Sequence, residues 1–279
     1  MSRHYQRLDA PHFDYQLEQI AQLPGETLRG PIAALGYDAA VCIGAAQTFG
    51  RFVERPFPAI LQQELDAPFI NCGLGGVGPR FWLRPDLVTV LNKTRLVVVQ
   101  VMSGRSASNH LFDNAARGDL EGTLIESGER MRFEEFLTRL INTADRAEIQ
   151  RVVQRTREDY ARSMRQLGAA LNVPTVLLWL SRRPPRYTPK WDSASGVMNT
   201  FPQLIDDAVV DDIRGSFDDY VECISDEGIP QRLWRASNSV DGAEMGDDGF
   251  LYNNYYPSPE MHALAAAMLT PACLRVTGG

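Results

Sequence analysis

The stretch AAVCIGAAQTFGR, residues 39–51, decides the fold of this chain. Its apolar run ends at Ile43 and is followed at once by Gly44 and a turn of small residues. After this turn, apolar residues recur at helical spacing over residues 58–65. A buried strand, a tight glycine turn and a helix form the opening unit of an open α/β sheet. Because ligands bind such sheets at the carboxyl ends of the strands, the residues after Ile43 are expected to face a site.

Four further apolar runs predict the other strands, and helical patterns lie between them. These runs are residues 68–72, 96–102, 173–180 and 220–225. Strands that alternate with helices predict an α/β fold with a three-layer, doubly wound parallel sheet and right-handed crossovers. The sequence is interpreted as a polar lead-in over residues 1–37 and a single α/β domain over residues 38–279. A helical insertion is expected over about residues 113–165, beginning with a flexible loop at 113–130. Residues 226–250 are expected to form an irregular, acidic loop.

The composition excludes several classes of protein. A net charge of −7 over 279 residues argues against a general nucleic-acid binder, which needs a basic surface. An apolar run of about 18 residues is absent, so no membrane span is expected. The N-terminal residues lack the apolar core of a secretion signal, and a cytoplasmic protein is the default expectation. The four cysteines are isolated in the sequence and fit buried free thiols better than disulfides or a metal site.

Arginines follow the predicted strand ends, and this pattern suggests a site for an anion. In a doubly wound sheet these loops meet at one edge, where guanidinium groups suit bidentate binding of phosphate, sulfate or carboxylate. The alternative is that each arginine is solvated or pairs with a nearby carboxylate. The arginines concerned are Arg51, Arg80, Arg105, Arg182 and Arg183.

The order of the turns resembles the SGNH (GDSL-type) hydrolase superfamily, which implies an SGNH- and flavodoxin-like architecture over about residues 38–270. That superfamily has Gly-Asp-Ser after its first strand, Asn-x-Gly-x-x-Gly after the second, Gly-x-Asn-Asp after the third and Asp-x-x-His-Pro before the last helix. The corresponding blocks here are residues 44–46, 71–76, 104–107 and 253–257, of which only the second matches well. The resemblance therefore concerns the architecture more than the chemistry.

The departures from the SGNH pattern fall on the catalytic residues. The position of the serine nucleophile is Ala46, that of the aspartate is Asn253 and that of the histidine is Tyr256. A Ser-His-Asp mechanism needs a hydroxyl, a base of matched pKa and a carboxylate that orients the base. A tyrosine, with an ordinary pKa of about 10, is a poor base at neutral pH. An ordinary esterase of this type is therefore not expected.

Two other resemblances concern the first turn. Residues 44–47 are similar to the Gly-Asn-Cys-Gln turn of capsular-polysaccharide acetyltransferases, which implies coenzyme A as a donor, although Ala46 again replaces the reactive residue. Residues 47–52, QTFGRF, resemble the signature of an uncharacterised bacterial family, from which no function follows.

Candidate site residues are chosen from the loops at the predicted sheet edge. His110 and His262 are the candidate bases, and Tyr256 is a candidate phenol donor or sugar-stacking residue. The binding candidates are Gly44, Gln47, Thr48, Arg51, Asn71, Gly76, Arg105, Asn109 and Arg182. Thr48 is the hydroxyl of the first turn, and the glycines after residue 72 could present backbone N–H groups to an anion. The ordinary alternatives are a helix residue for His262, a core residue for Tyr256, a solvated or paired arginine, and a tight, well-packed turn.

The leading functional hypothesis is transfer of an acyl or sulfuryl group to a carbohydrate or an anionic substrate in envelope metabolism. Coenzyme A or a nucleotide sulfate would then be the donor, no metal is needed, and the partner is a small ligand. Such a transfer can dispense with a protein nucleophile if a base is well placed. The alternative is a catalytically inactive scaffold that binds a polysaccharide or a protein, and an atypical hydrolase comes third. Binding is favoured over transfer if neither His110 nor His262 lies near Gln47 and Arg105.

Overall fold

Five parallel strands form the central sheet of the computed structural model, which describes residues 5–23, 25–32, 36–114 and 120–278. In chain order the strands are β1 (Leu17–Glu18), β2 (Leu28–Arg29), β3 (Ala40–Gly44), β4 (Phe69–Gly73), β5 (Leu96–Gln100), β6 (Phe112–Asp113), β7 (Glu121–Leu124), β8 (Arg130–Arg132), β9 (Thr175–Ser181), β10 (Asp219–Ile224), β11 (Gln231–Arg235), β12 (Glu244–Met245) and β13 (Phe250–Asn253). The helices are α1 (Tyr5–Asp9), α2 (Ala46–Phe49), α3 (Phe57–Glu64), α4 (Pro79–Trp82), α5 (Pro85–Leu91), α6 (Phe133–Thr143), α7 (Arg146–Ala170), α8 (Ala194–Met198), α9 (Asp207–Arg214) and α10 (Pro259–Thr277). One turn of 3₁₀-helix follows β5 at Gly104–Ser106.

The order of the central sheet is β10-β9-β5-β3-β4, and all four pairings are parallel. The first strand of this sheet along the chain, β3, therefore lies between the second and the third, which is the flavodoxin-like order. The prediction of a doubly wound α/β sheet is confirmed. The strand order reverses between β3 and β5, and a crevice for ligands is expected there.

Two apolar layers cover the sheet, one on each face. Alternate residues of β3 point to opposite layers, so Val41 and Ile43 contact the first layer whereas Ala40 and Cys42 contact the second. The first layer includes residues of α4, α5, α7 and α9, and the second includes residues of α3 and α10. Both faces of the central sheet are therefore covered by apolar side chains, which explains why its strands are continuous apolar runs.

The segment after β5 differs in part from its expected structure. Strands β6, β7 and β8 form a small antiparallel sheet, so the expectation of a purely helical insertion with a flexible loop at its start is wrong for the described part, residues 113–114 and 120–130. Strand β7 was not predicted because it contains Gly122, and glycine is uncommon in strands. A Cβ at that position would lie 2.6 Å from Cζ of Phe112, so glycine is needed for the two strands to pair. The charged region that follows is helical, and it is divided into α6 and α7.

The acidic segment before the last helix is also more regular than expected. Strands β11, β12 and β13 form a second three-stranded antiparallel sheet, so the expectation of an irregular loop over residues 226–250 is wrong. The two fully buried residues of β13 are Leu251, which is apolar, and Asn253, which is polar, so the strand does not show an alternation of apolar and polar residues in the sequence. The loop between β11 and β13 extends to the carboxyl edge of the central sheet.

All four cysteines, Cys42, Cys72, Cys223 and Cys273, are buried and free, as the sequence predicts. No helix in the described part of the chain is long and apolar enough to cross a lipid bilayer. The boundary proposed near residue 37 stays a prediction, although Tyr15 and Leu28 of the lead-in are buried.

Candidate functional site

A cavity of about 700 Å³ opens at the carboxyl ends of β3, β4 and β5, beside the point where the strand order reverses. We call it the edge pocket. Its floor comes from the turns after these strands, namely residues 45–47, 75–77, 103 and 105. Its walls come from four other places in the chain, which are Leu8, residues 120–134, Phe201 and residues 240–256. A volume of several hundred Å³ is typical of sites for small molecules.

Gln100, at the end of β5, holds the first turn in place. Its Oε1 accepts hydrogen bonds from the backbone N–H of Ala45 at 3.1 Å and from the hydroxyl of Thr48 at 2.7 Å. Gly44 lies directly against this side chain, and a Cβ there would be 2.5 Å from the same oxygen. Thr48 is fully buried with its proton donated to Gln100, and it does not line the pocket. The interpretation of Thr48 as a binding residue or nucleophile is therefore wrong, and Gly44 acts only through its close packing.

Gln47 is the binding candidate that the structure places most favourably. Its side chain lines the edge pocket and also a small adjoining recess, yet the residue is only 3% exposed. Among the residues that the structure describes, none forms a hydrogen bond with its amide. A buried amide without a partner costs about 1–3 kcal/mol. The amide of Gln47 is therefore available to a ligand that enters the pocket.

Tyr256 lines the pocket and is held by a buried ion pair behind it. Its hydroxyl accepts a hydrogen bond from Nη1 of Arg51 at 3.2 Å, and Nε of Arg51 contacts Asp9 at 2.6 Å. Burial raises the pKa of Tyr256 to about 12, and the nearby Arg51 only partly offsets this effect. At neutral pH the phenol therefore keeps its proton, so Tyr256 serves as a hydrogen-bond donor and not as a base.

Arg51 itself is not a binding residue for an anion. Burial disfavours its charge, but the carboxylate of Asp9 and the oxygen of Tyr256 outweigh that effect and raise its pKa. Arg51 is 1% exposed and does not line the pocket. The expectation that it binds substrate is corrected: its role is to connect α1 to Tyr256.

Asn253, which stands at the aspartate position of the SGNH pattern, braces the loop that carries the two pocket tyrosines. Its Oδ1 accepts hydrogen bonds from the N–H groups of Tyr255 at 3.0 Å and Tyr256 at 2.8 Å. Its Nδ2 donates to the carbonyl of Tyr256 at 3.0 Å. An amide can both donate and accept, so it suits this brace better than a carboxylate would. Asn253 therefore positions the tyrosines and does not orient a base.

Arg105 faces the pocket, but its charge is matched by a carboxylate. It forms an ion pair with Glu134, and its Nε donates to the hydroxyl of Ser103 at 3.1 Å. The same Glu134 lies 3.7 Å from Arg132, the other arginine of the pocket wall. Among the described residues of the lining, four carboxylates stand against two guanidinium groups, the carboxylates being Glu121, Glu134, Asp241 and Glu244. The expected ring of arginines around an anion is therefore wrong.

The other arginines of that ring have different partners. Arg80 pairs with Asp159, and Arg183 is buried with its guanidinium bonded to backbone carbonyl groups. Arg182 is exposed beside the small recess, where its Nη1 donates to the carbonyl of Asn254 at 2.8 Å. It touches the edge of the site without entering the main pocket.

Neither candidate histidine reaches the edge pocket, so both assignments as a base are corrected. His262 is fully buried on α10, its Nδ1 accepts a hydrogen bond from the N–H of Phe57 at 3.1 Å, and its ring stacks on that residue. Burial lowers the pKa of His262 to about 3, so it stays neutral. His110 is exposed, and its Nε2 lies 2.8 Å from Glu148 of α7.

The two asparagines chosen from the sequence stabilise loops and do not contact the pocket. Nδ2 of Asn71 donates to the carbonyl of Thr48 at 3.0 Å, which fixes α2 against β4. Asn109 accepts from the N–H groups of Leu111 and Phe112 through Oδ1. Gly76 does line the pocket, with a φ of +85° that favours glycine. Whether its neighbours form a nest for an anion stays a prediction.

The walls of the pocket are the part that the sequence did not reveal. Leu8 belongs to the lead-in, Glu121 and Glu134 to the segment after β6, and Asp241 and Glu244 to the acidic segment before the last helix. The charge of the last two segments is visible in the sequence, where residues 113–130 are expected to form a flexible loop and residues 226–250 an irregular, acidic loop. No cluster of three or more metal-ligating side chains occurs in the described ranges.

Comparison with known families gives one match over most of the chain. The family model described as Domain of unknown function (DUF6473) matches residues 4–118 and 129–277. No curated protein sequence matches.

The solved structures to which this chain is similar are distant from it in sequence. The lipase Lip_vut3 from a goat rumen metagenome is 11% identical with a TM-score of 0.43, over 84% of this chain and 96% of that one. A carbohydrate esterase family 2 enzyme with a carbohydrate binding domain from Corynascus thermopiles is 14% identical with a TM-score of 0.41, over 90% of this chain and 69% of that one. A G-D-S-L family protein from Desulfitobacterium hafniense is 14% identical with a TM-score of 0.36, over 84% of this chain and 98% of that one. No residue role is taken from these structures, and the similarity to the acetyltransferase turn stays a prediction.

Proposed function

The chain belongs to the DUF6473 family, and from its site we propose that it binds a small, polar, carbohydrate-type ligand in the edge pocket without attacking it through a protein nucleophile. The observation that carries this proposal is the amide of Gln47, buried at the floor of the pocket with no partner among the described residues. An amide donates and accepts at once, which suits the hydroxyl groups of a sugar.

The rest of the lining supports a ligand of this class. Tyr255, Tyr256 and Phe201 supply aromatic surface, and Asn254 and Ser103 supply polar groups. The lining thus combines aromatic surface with many polar groups, which suits a ligand with hydroxyl groups.

The same lining argues against the chemistry of an SGNH esterase. Ala46 lines the pocket at the position of the nucleophile and has no reactive group. The hydroxyl of Ser103 accepts hydrogen bonds from the N–H and the Nε of Arg105, at 3.2 and 3.1 Å, and no histidine lines the pocket within the ranges that the structure describes. A serine without a general base is a weak nucleophile. The binding hypothesis is therefore favoured over an atypical hydrolase.

Group transfer is the competing hypothesis, and the charge of the pocket weighs against it. Coenzyme A and nucleotide sulfates carry several phosphate charges, whereas the carboxylates of the lining outnumber its arginines. A carboxylate such as Glu134 could still act as a base, so the test includes both donors.

Gln47→Leu is the variant that tests the proposal, because leucine keeps the approximate size of the side chain and removes both hydrogen-bonding groups. Ligand-observed NMR would measure the Kd of a panel of neutral, N-acetylated and amino monosaccharides and disaccharides. We expect at least one sugar to bind saturably and Gln47→Leu to weaken it about 2- to 10-fold, the value of a hydrogen bond of about 0.5–1.5 kcal/mol. Gln166→Leu, an exposed glutamine on α7, is the matched control and should bind as the parent protein does.

Three results would contradict the proposal. One is that no sugar binds, and another is that Gln47→Leu binds as well as the parent protein. The third is turnover: saturable hydrolysis of 4-nitrophenyl acetate that Ser103→Ala abolishes would indicate a hydrolase. Transfer from acetyl-coenzyme A or from phosphoadenosine phosphosulfate to a sugar would instead indicate a transferase.

A further inference from the structure

The arginines that line the edge pocket form ion pairs, whereas two of its carboxylates form none with a described residue. The two guanidinium groups of its lining, Arg105 and Arg132, both face Glu134. Asp241 lies in the turn before β12 and Glu244 is the first residue of β12, and no ion pair to either of them exists within the described residues. Glu244 accepts one hydrogen bond, from Nδ2 of Asn254 at 3.0 Å. Two exposed carboxylates therefore face the pocket, and neither is paired with a cationic side chain of a described residue.

The loop that carries these carboxylates is held against an aromatic wall. Gly242 has a φ of +79°, and a Cβ there would lie 3.3 Å from Cδ2 of Tyr256, so the backbone packs directly on that ring. The rings of Tyr255 and Tyr256 meet edge to face with centroids 4.8 Å apart. The guanidinium of Arg51 already lies over the ring of Tyr256, 5.2 Å from its centroid, so the attraction for a further cation comes from the exposed carboxylates.

An acidic rim alone would not define a site, because exposed carboxylates are common on loops. Gln47, a residue only 3% exposed whose amide has no partner among the described residues, is the independent observation that points to a ligand in the same cavity. A compound that satisfies both features must offer hydroxyl or carbonyl groups to the amide and a positive charge to the rim. Its size is limited by a cavity of about 700 Å³, which suits one or two sugar rings.

We propose that the ligand is an amine-bearing sugar, with its ammonium group on Asp241 and Glu244 and its hydroxyl groups on Gln47. This inference rests on the proposed function and narrows it from carbohydrate-type ligands in general to positively charged ones. The sequence suggested a negatively charged ligand, whereas this inference predicts a positively charged one. The reason is that the arginines that suggested an anion interact with other groups of the protein.

Glucosamine, glucose and N-acetylglucosamine test the inference, because they share one ring and differ at a single substituent. Titrations run at about pH 6.5, where an amine of pKa near 7.7 keeps its proton. We expect glucosamine to bind at least about fivefold more tightly than the two uncharged sugars, and we expect added salt to reduce that preference. Asp241→Asn and Glu244→Gln should each weaken glucosamine about two- to fivefold and leave glucose unchanged.

Asp247→Asn is the matched control, since Asp247 is an exposed carboxylate in the turn between β12 and β13 that does not line the pocket. It should leave the Kd of glucosamine unchanged. If glucose or N-acetylglucosamine binds as tightly as glucosamine, or if Asp241→Asn and Glu244→Gln have no more effect than Asp247→Asn, the inference is wrong while the proposed function stands. If none of the three sugars binds and no other sugar of the panel does, both are wrong.

Discussion

Arg51 shows how one buried side chain can shape a pocket that it does not enter. It is anchored on Asp9 through Nε and Nη2, at 2.6 and 3.1 Å, and through Nη1 it reaches the hydroxyl of Tyr256. A buried ion pair is costly to form but more costly to break, since removal of one partner leaves the other charge unmatched. The orientation of Tyr256 therefore depends on a residue near the start of the chain.

The buried His262 predicts how the free energy of unfolding depends on pH. Its pKa is lowered from 6.5 to about 3 by burial, so the folded protein keeps it neutral while the unfolded chain binds a proton below pH 6.5. The free energy of unfolding therefore decreases as the pH falls from 6.5 toward 3, by about 1.4 kcal/mol per pH unit at most from this group.

His262→Asn isolates this contribution, because the Asn oxygen can accept the hydrogen bond from Phe57 and does not titrate. We expect the variant to be less stable than the parent protein at pH 7, as its smaller side chain leaves a cavity, and the difference to shrink by pH 5. Urea unfolding at several pH values measures it. A difference that stays constant between pH 7 and pH 5 would show that His262 is protonated in the folded protein.

At the scale of elements, the antiparallel sheet of β6, β7 and β8 is built around one glycine. Strand β7 pairs with both neighbours, and Phe112 of β6 lies where a side chain at position 122 would point. Phe112 also contacts Phe133 and Phe136 in the cluster that joins this sheet to α6. The sheet carries Glu121 into the pocket wall.

Gly122→Ala should therefore destabilise the protein by about 1–3 kcal/mol, the usual cost of overpacking. Gly215→Ala is the matched control, because nothing lies within 4 Å of a Cβ at that position and its φ is −69°. That change should be neutral or should stabilise by up to about 1 kcal/mol, because alanine restricts the unfolded chain. Chemical denaturation of both variants checks the expectation, and equal stability of the two would contradict the packing argument.

At the scale of the whole molecule, the central sheet could be predicted and most of the site could not. Strands such as β5 and β9 are buried on both faces, so they are continuous apolar runs that end in small-residue turns. The same logic located the pocket edge and Gln47. The partners of the arginines were not predictable, because Asp9 reaches Arg51 from 42 residues away. The pocket walls come from short strands and a loop, which leave no periodic signal in the sequence.

The rate at which the four buried cysteines react can report how often each layer of the core opens. Cys72 packs in the layer beside α7, whereas Cys42, Cys223 and Cys273 pack in the layer beside α10. Burial raises the pKa of every one of these thiols, so the reactive thiolate is scarce in the native protein.

A thiol reagent should therefore label none of the cysteines in the native state and all four in denaturant, at a rate set by how often each layer opens. Mass spectrometry of the labelled peptides, at increasing urea, would show whether the two faces of the sheet open together. Rapid labelling of any cysteine without denaturant would contradict the expectation. A thiol reagent thus shows which face of the central sheet unfolds first, and no engineered probe is needed.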